Sequence, residues 1–155
     1  MRHPDFIIFT GPMFGSKTTR LMAVVDRFKY QNRKVLAFKP KMDDRYDQAD
    51  IVTHNGGKIT ASTIHDAAEI FMHLAESEDN YDVVAVDEAF MISGISDVLI
   101  WLYQRGITVV VSSLDMSAAC NPFDELQKMM PWATKIEKCP AVCPVCSRDA
   151  YYTYK

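Results

Sequence analysis

Short runs of β-branched or apolar residues alternate along this chain with segments in which apolar residues recur at helical spacing. The runs that predict strands are DFIIFT, KVLAFKP, YDVVAVDEAF, ITVVVSS and ATKIEK. Helical spacing predicts helices at 17–31, 66–75, 95–104 and 122–130. Apolar strands separated by helices are typical of a parallel sheet, because helices cover both of its faces. The pattern therefore predicts an α/β fold with helices on both faces of a mostly parallel sheet.

One long polar segment, DDRYDQADIVTHNGGKIT at 43–60, interrupts the alternation. It is rich in turn-forming residues, and only a brief extended piece is predicted, around Ile59. We therefore expect a loop here that reaches toward a ligand.

The turn between the first predicted strand and helix, FTGPMFGSKTT, is close to the phosphate-binding pattern G-x-x-x-x-G-K-[ST]. Lys17 could be an ordinary solvated lysine, but the strand-turn-helix context favours a phosphate site. The backbone N–H groups of the turn would bind phosphate oxygens, and Lys17 would neutralise the charge of the β and γ phosphates. The Thr18 hydroxyl would coordinate Mg²⁺. We therefore predict that ATP binds to this loop, which comprises Gly11, Pro12, Met13, Phe14, Gly15, Ser16, Lys17, Thr18 and Thr19.

The second glycine position of that pattern holds Ser16, and a glycine stands one residue earlier, at Gly15. A side chain at a position that favours glycine is expected to strain the backbone by about 1–3 kcal/mol. The hydroxyl could offset part of this strain by capping the helix or contacting a phosphate oxygen. We therefore expect a weakened but real ATP site, in which Ser16→Gly tightens Mg-ATP by about 1 kcal/mol or more.

Two adjacent acids, Asp87 and Glu88, end the buried run VVAV. They could be ordinary loop charges, but an aspartate at the end of a buried strand completes the magnesium site of a phosphate loop. The side chains of consecutive residues at the end of a strand point in different directions, so Glu88 can face the molecule that accepts the phosphoryl group. We predict that Asp87 holds Mg²⁺ together with Thr18 and that Glu88 is a general base.

Three of the four cysteines, Cys139, Cys143 and Cys146, are crowded near the end of the sequence. The Cys-x-x-Cys pair suits tetrahedral Zn²⁺, and Cys139 could add a third thiolate. The alternative is a set of reduced, partly buried thiols. The sequence leaves both interpretations open.

The composition of the chain limits the kinds of molecule that it is expected to bind. The chain has 155 residues, 48% hydrophobic and 24% charged, with a formal net charge of −3. It is therefore expected to be a single soluble domain that binds small molecules rather than nucleic acid. The apolar run 6–9 is too short for a signal peptide or a membrane span, so a cytoplasmic location is expected.

A set of segments runs through nearly the whole chain: FTGPMFGSKTTRLM, KPKMDDRY, VTHN, VDEAF, SSLDMS followed by NPF, and AVCPVC followed by AYYTYK. In this order and spacing they resemble the type II thymidine kinases, the cytosolic, zinc-bearing family. The resemblance implies a RecA-like P-loop kinase core over 1–138 and a zinc-knuckle-like segment over 139–155. It also implies a homotetramer.

The same resemblance implies ATP and Mg²⁺ on the phosphate loop and thymidine as the phosphoryl acceptor. Glu88 would take the proton from the nucleoside 5′-hydroxyl, and Met13 would lie against the base. Asp43 and Arg45 would lie near the transferred phosphoryl group, where Arg45 would stabilise its charge. His54, in VTHN, would lie near the ligand; the alternative is that it is an ordinary solvated histidine in a loop.

Several residues depart from the family pattern. The family's loop reads serine then glycine before the lysine, Phe90 replaces a glutamine, and Ala118 replaces an aromatic residue that packs against thymine. The family also continues past AYYTYK into a lid over thymidine and a second Cys-x-x-Cys pair. If Lys155 is the natural end of the chain, both are expected to be absent, and the alternative is that the sequence is a shortened one.

These departures leave three hypotheses. We favour a deoxynucleoside kinase, most simply for thymidine. The second is a nucleotide-binding homologue with a regulatory or assembly role and little or no catalysis. The third is an ATPase in which Glu88 activates water.

Overall fold

A computed structural model of the chain describes residues 3–13, 15–41, 48–52, 58–76 and 80–152. The strands are β1 Phe6–Gly11, β2 Val35–Pro40, β3 Gln48–Val52, β4 Lys58–Ile64, β5 Val83–Val86, β6 Thr108–Leu114, β7 Lys135–Lys138, β8 Ala141–Val142 and β9 Asp149–Ala150. The helices are α1 Lys17–Tyr30, α2 Glu69–Glu76, α3 Ile95–Gln104 and α4 Asp124–Met129, with 3₁₀ turns at Ala89–Met91 and Met130–Trp132.

Within the described residues, seven strands form one sheet in the order β3-β4-β2-β5-β6-β1-β7. The β3–β4 pair is antiparallel, and every other neighbouring pair in this sheet is parallel. Strands β8 and β9 form a separate two-stranded antiparallel sheet after β7. The predicted α/β fold with a mostly parallel sheet is confirmed.

The core lies on both faces of the large sheet, because side chains of β1 alternate between them. Phe6 and Ile8 belong to a cluster with residues of α3 and α4, whereas Ile7 and Phe9 belong to a second cluster with residues of α1. Every residue of β1 is buried, which agrees with the continuous apolar run FIIF in the sequence. The helices therefore cover both faces, as predicted.

The prediction for the polar segment 43–60 is correct in one part, because the extended piece expected around Ile59 belongs to β4. It is wrong for residues 48–52, which form β3 rather than a loop. Strands β3 and β4 pair in antiparallel register, with Ile51 opposite Ile59. Both isoleucines are buried in the α1-side cluster. Ala61 of β4 is buried in the same cluster, and β4 also pairs with β2, so both packing and strand pairing hold the hairpin against the sheet.

The parallel strands bring their carboxyl ends to one edge of the sheet, which is where ligands bind in open α/β folds. The segments that follow β1, β5 and β6 begin at Pro12, Asp87 and Asp115. The lateral order places β1 beside β6 and β6 beside β5. Residues that are far apart in the sequence therefore meet at this edge.

Candidate active site

A cleft of about 290 Å³ opens at the carboxyl edge of the sheet. It is lined by six predicted site residues, Met13, Gly15, Lys17, Thr18, Asp87 and Glu88, together with Phe90, Ser112, Ser113 and Leu114. Asp43, Arg45, Phe14 and His54 lie outside the described residues, so their predicted roles stay predictions.

The phosphate loop passes directly over the backbone of Cys139, which follows β7. The Cys139 N–H donates a 2.7 Å hydrogen bond to the carbonyl of Thr10. A Cβ atom at Gly11 would overlap the Cys139 carbonyl, and one at Gly15 would lie 2.7 Å from the same oxygen. Gly11 also has a φ of 134°, which favours glycine. Both glycines are thus required by close backbone approach.

Ser16 differs from the expectation drawn from the loop pattern. Its backbone angles are φ −84° and ψ 33°, outside the left-handed region, so the expected backbone strain is wrong. The hydroxyl does not cap α1 through a side-chain hydrogen bond. It instead accepts a 2.9 Å hydrogen bond from Nε of Arg20, one turn along the helix. The basis for a tighter Ser16→Gly variant is therefore removed.

Lys17 is buried at the first position of α1, and its Nζ donates a 2.5 Å hydrogen bond to the carbonyl of Pro12. Burial lowers the pKa of Lys17 by removing water from the ammonium, and nearby thiol and carboxylate groups oppose this shift. The ammonium therefore lies over the loop, where a bound phosphate would replace a single carbonyl partner with charged oxygens.

Thr18 and Asp87 are in direct contact, as a shared magnesium site requires. Thr18 Oγ1 donates a 3.0 Å hydrogen bond to Oδ1 of Asp87, and the Ser112 hydroxyl donates to the same oxygen. Asp87 is buried at the end of β5. Hydroxyl and carboxylate oxygens are the hard ligands that Mg²⁺ prefers, so the donor set fits this ion.

Ser112 is a site residue that sequence reasoning missed. Val86 of β5 is paired with Val111 of β6, so the next residue on each strand brings Ser112 beside Asp87. The available signal was a pair of serines at the end of the apolar run ITVVVSS. Using that signal requires knowledge that β5 and β6 are neighbours.

Glu88 follows Asp87 with a φ of 51° and a ψ of 45°, an uncommon left-handed conformation for a non-glycine residue. Such backbone outliers are concentrated at functional sites. Partial desolvation and the adjacent Asp87 charge raise the pKa of Glu88, and nearby lysines oppose the shift. A carboxylate with a raised pKa is a stronger base than an ordinary glutamate.

One aromatic ring, that of Phe90, lines the cleft beside these acids, and the ring of Phe123 packs against it. The two ring centroids lie 4.7 Å apart, with an interplanar angle of 36°. Met13, which is 48% exposed, also lines the cleft. This side of the cleft is therefore apolar, whereas the Lys17 side of the cleft is charged.

Two of the three clustered cysteines, Cys143 and Cys146, are in contact, whereas Cys139 is packed in the core. Cys139 is buried under the phosphate loop, and its thiol donates to the carbonyl of Glu137 at 3.7 Å. Burial raises the pKa of Cys139, whereas backbone N–H groups of Cys146 and Val145 lower the pKa of Cys143. Among the described residues, no three His, Cys, Asp or Glu side chains are grouped to hold a metal ion. Cys139 belongs to the α1-side cluster rather than to a group with the other two thiols, so its role as a zinc ligand stays a prediction.

Comparison with known proteins identifies a family. The sequence model of a family described as thymidine kinase matches residues 5–155. Kinases of this kind use ATP and Mg²⁺. In the part of the chain that the structure describes, no helix has the length and apolar character needed to cross a membrane.

Proposed function

Because the chain belongs to the thymidine kinase family, we propose that it transfers the γ-phosphoryl group of ATP to the 5′-hydroxyl of a deoxynucleoside, most simply thymidine. One observation carries this proposal: a phosphate loop, a threonine–aspartate pair and a second carboxylate line a single cleft. The proposal assigns one side of the cleft to ATP and the other to the acceptor.

The phosphate loop would hold the triphosphate through its backbone N–H groups and the start of α1. Lys17 would exchange its contact with the Pro12 carbonyl for the β and γ oxygens. Thr18 Oγ1 and Asp87 would hold Mg²⁺, which when bound neutralises charge on the phosphate oxygens. The existing 3.0 Å contact between these two side chains supports this assignment.

Glu88 would act on the acceptor. Its carboxylate accepts the proton of the 5′-hydroxyl while that oxygen forms a bond to the γ-phosphorus. The bond between the γ-phosphorus and the oxygen that bridges to the β-phosphate breaks, and ADP leaves with that electron pair. The raised pKa of Glu88 supports this role, because proton transfer is most effective when the pKa of the base approaches the working pH.

The ring of Phe90, which lines the cleft and is supported by Phe123, would contact the base of the acceptor. Aromatic faces bind planar rings through offset or tilted stacking, worth about 0.5–1.5 kcal/mol beyond buried area. Asp43 and Arg45 are proposed to act near the transferred phosphoryl group, as the resemblance implies.

The proposal is tested by measuring ADP release from Mg-ATP with and without thymidine. Acceptor-dependent release is expected, and Glu88→Gln should remove most of it while Mg-ATP still binds in a calorimetric titration. Binding without release would favour the non-catalytic homologue, and release without any acceptor would favour an ATPase. A wild-type protein that binds no nucleotide would contradict the proposal.

A further inference from the structure

Ser16 occupies an unusual place in the cleft region. It lies between Gly15 and Lys17, both of which line the cleft, yet Ser16 itself is exposed and lies outside that lining. Its side chain is engaged by Arg20 instead. A serine in a phosphate loop can thus be accommodated if its side chain is kept away from the phosphates.

Arg20 has two partners that hold it in this position. Its Nε donates to the Ser16 hydroxyl at 2.9 Å, and its Nη1 pairs with the carboxylate of Glu137. Glu137 lies on β7, directly beside Phe9 of β1, the strand that leads into the loop. The planar fork of the guanidinium can make both contacts at once, which an ammonium of lysine cannot reproduce with the same geometry.

We propose that Arg20 is a positioning residue of the nucleotide site, which holds the Ser16 side chain outward so that the backbone at the start of α1 stays open to phosphate. The Ser16–Arg20–Glu137 bridge does in this chain what a glycine does by lacking a side chain. This inference rests on the proposed function, since it requires that the loop binds the phosphates of ATP.

The expected effect is modest, because the side chains of Arg20 and Glu137 are 39% and 35% exposed and solvent weakens such contacts. We expect Arg20→Met to weaken Mg-ATP binding by about two- to fivefold. In a Ser16→Gly background the same change should have little effect, because there is no side chain left to hold outward. Arg20→Lys keeps the charge without the fork, so it should behave like Arg20→Met.

The experiment measures Mg-ATP affinity by calorimetry for the single variants and the Ser16→Gly/Arg20→Met pair, with thermal unfolding of each as a folding control. Arg27→Met is the matched control, since Arg27 is an exposed arginine on the same helix. Steady-state kinetics should show a raised KM for ATP with kcat nearly unchanged.

An equal loss in both backgrounds, or full rescue by Arg20→Lys, would show that only the charge matters and would overturn the inference. Unchanged affinity in Arg20→Met would overturn it as well, while leaving the kinase proposal intact. If the wild type binds neither Mg-ATP nor inorganic tripolyphosphate, both proposals fail together.

Discussion

Gly15→Ala should disturb the phosphate loop, although Gly15 does not need an unusual backbone conformation. The added Cβ would lie 2.7 Å from the Cys139 carbonyl oxygen and 3.3 Å from that of Pro12. Since both are backbone atoms, the loop or the end of β7 must shift, and overpacking of this kind costs about 1–3 kcal/mol. Alanine also reduces the entropy of the unfolded chain, which offsets about 0.4–1 kcal/mol. The free energy of unfolding should therefore fall by on the order of 1–2 kcal/mol.

For a chain of this length, such a loss lowers Tm by about 2–8 °C. If the phosphate loop moves in the folded protein to accommodate the Cβ, the same 1–2 kcal/mol weakens Mg-ATP binding by roughly 5- to 30-fold. Thermal unfolding and calorimetry measure the two effects separately. Asp26→Ala is the first control, because Asp26 is an exposed residue of α1 that does not line the cleft.

A second control separates general destabilisation from damage to the loop. Gly106 has a φ of 91° and lies at the opposite edge of the sheet, just before β6. Gly106→Ala should lower Tm without changing Mg-ATP affinity. A Gly15→Ala protein with wild-type Tm and affinity would refute the steric argument.

Four further predictions concern ionisable groups. Glu88→Gln should lower turnover by about 10²- to 10⁴-fold with Mg-ATP binding retained, and near-normal turnover would remove Glu88 from the mechanism. Because folding raises the pKa of Glu88, ionising its carboxyl group lowers the stability of the folded protein as pH rises. Glu88→Gln should therefore have a higher Tm than wild type at neutral pH. The difference in Tm should disappear in acid, where Glu88 is protonated in both the folded and the unfolded state. Lys17→Met should weaken Mg-ATP binding roughly 10- to 100-fold in calorimetry without lowering Tm, because the lost ammonium is desolvated; unchanged binding would argue against a phosphate loop. Iodoacetamide at neutral pH should label Cys143 well before Cys139, because the pKa of one thiol is lowered and that of the other is raised by burial. Peptide mass spectrometry measures both rates, and protection of Cys143 that a chelator removes would indicate bound metal instead.

Local sequence patterns were sufficient for the parts of the site that depend on one strand and the residues after it. The glycine-bearing turn follows β1, and Asp87 and Glu88 follow β5, so each could be recognised from an apolar run and its neighbours. These groups now line one cleft. The α/β class followed from the same runs.

Contacts between distant segments could not be predicted in this way. The bond from Ser112 to Asp87 depends on the lateral order of β5 and β6, and the place of Cys139 depends on β7 lying beside β1. Strand β3 escaped prediction because its two β-branched residues, Ile51 and Val52, follow a polar, turn-rich run. Residue types alone do not specify which strands become neighbours.

The position of Gly15, one residue earlier than the phosphate-loop pattern places its second glycine, is explained by the Cys139 backbone against which the loop packs. A phosphate-loop pattern reserves its second glycine for the residue before the lysine, but in this chain the close backbone approach occurs one residue earlier, where the Cys139 carbonyl meets Gly15. At residue 16 the φ of −84° admits a side chain, and Arg20 engages that side chain away from the cleft. The glycine therefore stands at the position where a Cβ atom would collide. Because β7 and the residue after it supply both the carbonyl under Gly15 and the carboxylate that holds Arg20, one edge strand accounts for both the shifted glycine and the tolerated serine.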